Sequence, residues 1–158
     1  LSGLTNITSI GLDFLYECES LSSIDLSSLS GLTAINENFL NDCYSLESID
    51  LYPFSNVQTA GGGFLLCLTK ISEVDLSPMT SLVSVDGTLL SGCTELVTLN
   101  LGSLLAANIN DSGWSFCVGD SSCTSFTTGI TLTATDKTNI QTKYPNLNED
   151  YRKRKWAN

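Results

Sequence analysis

A motif of the form Phe-Leu-x-x-Cys-x-x-Leu-x-x-Ile-Asp-Leu recurs down this chain every 25 residues. Phe14, Phe39, Phe64 and Leu89 hold its first position. Ile24, Ile49, Val74 and Leu99 hold a later one, followed two residues on by Leu26, Leu51, Leu76 and Leu101. A unit this short cannot close a core alone, so such units bury their apolar side only by stacking on one another. The fold class this predicts is an α/β repeat: a solenoid with short parallel strands on one face and an irregular or 3-10 back.

Two spacings divide each unit. In 21–26, Ile24 and Leu26 alternate inward while Asp25 points out, as a short strand requires. Apolar residues then fall at every third place, at Leu26, Leu29, Leu32 and Ile35. That spacing suits neither an α-helix nor a strand and fits a tight, near-3-10 return path. Gly11, Asn36, Gly61 and Asp86 occupy matching places where a sharp turn is expected, before the Phe-Leu pair opens a short helical turn. The columns Leu29, Phe54, Met79, Leu104 and Ile7, Leu32, Val57, Leu82 are apolar throughout and read as core.

The array is expected to span residues 1–105, as about four units. Leu1 falls in register with Leu26, in mid-unit, so further repeats are expected upstream. Residues 106–158 read as a C-terminal cap and basic tail. In it Cys123-Thr-Ser-Phe126 repeats the Cys-x-x-Leu spacing, Ile130-Thr-Leu132 is expected to form one more strand after one extra residue, and Thr135 caps a helix from Asp136 to Tyr144 that Pro145 ends.

Those residues resemble the BspA-like leucine-rich repeats, in a 25-residue variant with Asp-Leu where that class more often has Ile-Pro. The resemblance covers about residues 1–105. It implies a secreted or cell-surface protein used in adhesion or macromolecular recognition, with no shared catalytic residues and no cofactor.

Charge narrows the partners. Residues 1–136 carry 15 acidic side chains and one basic one, Lys70, within a net charge of −10 for the whole chain. A body this acidic repels nucleic acid and anionic membrane, and it either favours a basic partner or simply keeps an extended surface soluble. Taken with the resemblance, the partner expected is a basic, extracellular protein or glycan. The run Arg152-Lys-Arg-Lys155 before Trp156 reads as a solvated tail or a clamp onto the array itself. No apolar stretch reaches the ~20 residues needed to span a bilayer, so direct membrane insertion is not expected. The uncapped first coil offers a surface for self-association.

Four of the six cysteines follow the repeat. Cys18, Cys43 and Cys93 share a column, and Cys67 arrives one residue early beside Leu68. They read as thiols packed like small hydrophobes. Cys117 and Cys123 break the period and are the disulfide candidates.

The candidate ligand face is the outer side of the strands: Ser23, Asp25, Glu47, Ser48, Asp50, Glu73, Asp75, Thr98 and Asn100. Carboxylates about 4.8 Å apart repel by roughly 1 kcal/mol even in water, so the Asp column either holds a cationic partner or splays into solvent. Calcium needs six to eight oxygens, more than this row supplies, so no metal is assigned. No aromatic anchor is expected on the strands themselves.

Asn6-Ile-Thr8 and Asn110-Asp-Ser112 match the glycosylation acceptor pattern. Catalytic readings fail: with no histidine there is no Ser-His-Asp or Cys-His pair, and Gly61-Gly-Gly63 precedes no Lys-Ser/Thr. The chain is therefore read as a binding protein, with a structural spacer or stalk as the other reading.

Overall fold

The computed structural model describes residues 1, 3–4, 6–102, 115–116 and 125–127. Among the described residues eight short strands follow one another: β1 (Ala34–Ile35), β2 (Thr59–Ala60), β3 (Glu73–Asp75), β4 (Ser84–Val85), β5 (Thr88–Leu89), β6 (Thr98–Asn100), β7 (Ser115–Phe116) and β8 (Ser125–Thr127). Every pairing is parallel, and within the first four units each strand meets the one 25 residues further on. The repeat in the sequence is thus the register of the structure.

The strands form three sheets rather than the single strand face expected, in the orders β1-β2-β4, β3-β6-β8 and β5-β7. The segments around Ile24 and Ile49 run beside β3 in sequence register but pair as no strand; Glu47 N donates to Ser22 O at 3.3 Å there. The β1-β2-β4 sheet falls at Ile35, Ala60 and Val85, within the supposed irregular back. Two-residue strands of this kind carry too little alternation to stand out from a three-residue spacing.

The return path itself matches its spacing. Two 3-10 segments, Ser27–Leu29 and Tyr52–Phe54, open it. Leu29, Phe54 and Met79 donate N–H to Leu26, Leu51 and Leu76, and Leu32, Val57 and Leu82 donate back to Leu29, Phe54 and Met79, at 2.9–3.1 Å. Each apolar residue bonds the apolar residue three before it, so the spacing of three is the hydrogen-bond spacing of a 3-10 turn.

The helical turn expected at Phe-Leu is absent, and no α-helix occurs among the described residues. Alternate residues there take left-handed backbone instead. Asp13, Glu17, Asn38, Leu40, Asp42, Leu65 and Cys67 have φ of 55–62°. Each turns its N–H across to a carbonyl of an adjacent unit: Glu37, Asn41, Gly62, Phe14, Leu66, Phe39 and Ser91 in that order, at 2.8–3.3 Å. A left-handed non-glycine residue costs about 1–2 kcal/mol. A hydrogen bond returns about 0.5–1.5 kcal/mol. Leu40 and Leu65, fully buried, add about 1.5–3 kcal/mol each, so burial decides the balance.

Gly61, placed where a sharp turn was expected, does not take left-handed backbone. Its N–H extends the parallel ladder to Ile35 O, and a Cβ there would lie 2.7 Å from Glu37 N. Close approach, not turn geometry, demands glycine. Gly92 has both reasons: φ is 75°, and a Cβ would meet Cys67 Sγ at 2.8 Å. Cys67, arriving early, spends its side chain in the space Gly92 leaves.

The core runs through all units. Phe14 and Phe39 stack at 6.1 Å and 7°, Phe39 and Phe64 lie 6.1 Å apart, and Phe54 meets Phe39 edge-on at 5.5 Å. Cys43 and Cys93 are buried with them, their Sγ donating to Leu15 O at 3.1 Å and Leu65 O at 3.4 Å. Burial pushes the Cys43 thiol up to about 11.

Parallel pairing continues past residue 105. Ser115 and Phe116 lie opposite Thr88 and Leu89, while Ser125, Phe126 and Thr127 lie opposite Thr98, Leu99 and Asn100. Both offsets are 27, so the extra length is absorbed within one unit. Phe126 therefore stands beside Leu99; the strand expected at Ile130–Leu132 lies outside the described residues. The helix expected from Asp136, the Cys117–Cys123 pair, Asn110 and the Arg152–Lys155 run lie outside the described residues.

Candidate binding face

The outer residues of β3 and β6 are fixed by their inner ones. Val74 and Leu99 are buried, so Glu73, Asp75, Thr98 and Asn100 face out, with Glu73 opposite Thr98 and Asp75 opposite Asn100. Ser23, Asp25, Ser48 and Asp50 occupy the same two columns in the preceding units and are exposed. Glu47 is exposed too, but it stands one column aside, in line with Ser22, Ser72 and Val97.

The Asp column has a structural task that the spacing alone did not disclose. Asp25, Asp50 and Asp75 each accept, through Oδ1, the backbone N–H two residues on: Ser27 at 2.9 Å, Tyr52 at 3.0 Å and Ser77 at 2.9 Å. Asn100 repeats the bond with Gly102 at 3.1 Å. These are Asx turns that start the 3-10 return path. The bond from the Ser27 backbone is the main reason Asp25 sits below the ordinary carboxylate value of 3.8, helped by the Ser27 side chain. Asn100 makes the same turn without charge, so the turn needs the oxygen and not the ionised group.

Sequence reasoning missed Tyr52. It stands at the edge of this face, immediately after the Leu51 core position, and is 74% exposed. Its column partners are Ser27, Ser77 and Gly102. The signal was present in the phase: a residue one past an inward leucine points outward, whatever its hydrophobicity.

Two other sides differ in character. Around β1, β2 and β4 the outward residues Thr33, Ala34, Gln58, Thr59, Val83 and Ser84 carry no charge. The left-handed ledge is acidic and self-bonded. Asn38 Nδ2 donates to Asp13 Oδ1 at 2.8 Å, and the Tyr44 hydroxyl donates to Asp42 Oδ1 at 3.0 Å. That bond is the main cause that pushes the Tyr44 hydroxyl up to about 12. Among the described residues no group of three or more His, Cys, Asp or Glu side chains is placed to hold a metal ion, and no helix is long and apolar enough to cross a membrane.

Short parallel strands in 25-residue register, with no α-helix among the described residues, are the architecture of a stacked repeat array. The family model for the BspA type leucine rich repeat region matches residues 2–134 with six copies, and the chain belongs to that family. No curated protein and no solved structure matches it.

Proposed function

We propose that this chain is part of a leucine-rich repeat solenoid that recognises another macromolecule, a protein or glycan, at the cell surface or outside the cell. The binding strip is the face bearing Ser23, Asp25, Glu47, Ser48, Asp50, Glu73, Asp75, Thr98 and Asn100. Residues 106–158 supply its C-terminal cap and a basic tail, with Cys117 and Cys123 as the disulfide. A partner carrying positive charge fits best.

The observation that carries this reading is that acidic and small polar side chains, outward on β3 and β6 and exposed at the matching places of the two preceding units, repeat in one register. Membership of a repeat family without common catalytic residues supports binding over catalysis, as does a chain with no histidine.

A second reading has its own support. Because each Asp of the column already closes an Asx turn, the column is explained by folding alone, as a spacer that displays another domain would require.

One experiment separates them. The chain and its Asp25, Asp50, Asp75→Asn variant are assayed against extracellular-matrix proteins and glycans at low and high salt. Asn100 shows that asparagine preserves the turn, so this variant removes charge and keeps structure. A salt-sensitive partner lost in the variant establishes the recognition face. Absence of any partner at either salt favours the spacer.

A further inference from the structure

We propose that Tyr52 is the aromatic anchor of this face, and that the partner it fits is an extended peptide bearing arginine side chains. The inference rests on the recognition reading above and adds to it a residue and a ligand chemistry.

Among the described residues Tyr52 is the most exposed of the large hydrophobic side chains. Its neighbours in the column, Ser27, Ser77 and Gly102, are too small to cover a phenol ring. The backbone that carries it is held on both sides. Its N–H is bonded to Asp50 Oδ1, Pro53 follows within the same 3-10 segment, and Phe54 is buried edge-on against Phe39. An aromatic side chain on so fixed a backbone loses little conformational freedom on binding, as anchors at interfaces do.

The neighbouring charge selects the occupant. Asp50 touches the Tyr52 backbone, and Asp25 and Asp75 occupy the same place one unit to either side. A guanidinium can lie flat on a tyrosine face and donate in pairs to a carboxylate; an ammonium offers a point charge without the planar stack. A negatively charged glycan or a nucleic acid meets repulsion on the same ground.

The test uses an alternating arginine–serine peptide and its citrulline counterpart, which keeps the planar shape and removes the charge. Binding is measured by fluorescence anisotropy at low salt to the chain, to Tyr52→Ser, to Tyr52→Phe, to Tyr16→Ala and to the Asp25, Asp50, Asp75→Asn variant. Serine is the residue at this place in the adjacent units, so Tyr52→Ser retains the fold, checked by circular dichroism. The expected result is a loss of about three- to five-fold in affinity for Tyr52→Ser, with Tyr52→Phe and Tyr16→Ala unchanged and the citrulline peptide unbound. If Tyr52→Ser binds as the parent does while the triple Asn variant loses the peptide, Tyr52 is no anchor and the recognition face stands. If the parent does not bind the arginine peptide, or the triple Asn variant binds it as the parent does, this inference falls, while the recognition reading is decided by the matrix-protein and glycan panel.

Discussion

Leu40 combines two features that no spacing rule would join, a left-handed backbone and a fully buried side chain. Its φ is unfavourable locally and becomes tenable because Phe14 O in the preceding unit takes its N–H. The apolar identity of the position was legible; the sign of φ was not, because its partner lies 26 residues away. Cys43 shows the complementary case, in which a packed thiol was readable and its chemistry depends on depth. With a folded value of about 11 against 9.0 ordinarily, the unfolded chain ionises first. The stability this group contributes is complete below pH 9.0 and is lost as pH rises toward about 11. Denaturant melts across this range are expected to show a steeper alkaline loss in the parent than in Cys43→Ala.

At the scale of elements, the three-residue spacing translated directly into i→i−3 hydrogen bonds; β3 and β6 fall where the Ile-Asp-Leu strand was expected, whereas β1, β2 and β4 fall on the side read as an irregular back. A strand of two or three residues leaves no periodicity to read, and its existence depends on whether the next coil presents carbonyls at the right height. Asx turns join the two regimes. Asp75→Ala removes the acceptor for Ser77 N–H, and Tm is expected to fall by about 2–4 °C. Asp75→Asn is expected to leave Tm within error, as the native Asn100 turn implies. A calorimetric scan of both variants checks this; equal losses would mean that charge, not the acceptor oxygen, supports the turn.

Across the whole molecule, charge is divided among the sides. The sheet of β1, β2 and β4 presents no charge, and acidic groups crowd the other two sides. Lys70 is the one cation before residue 137, so most of this repulsion goes unopposed within the array. Raising NaCl from 10 to 300 mM is therefore expected to raise Tm by roughly 2–4 °C, since salt screens exposed like charges. A melting curve independent of salt would show that the acidic sides are too far apart, or too well solvated, to strain the fold.

The sequence by itself determined the period, the inward columns and the family, because stacked units must repeat their apolar side chains to share one core. It placed Asp25, Asp50 and Asp75 on the outside for the same reason. Only the tertiary structure decided what those outward groups do. Whether a carboxylate closes a turn, whether a leucine adopts left-handed backbone, whether glycine is needed for a turn or for room: each depends on an atom in the neighbouring coil, about 25 residues distant in the chain and one strand spacing away in space.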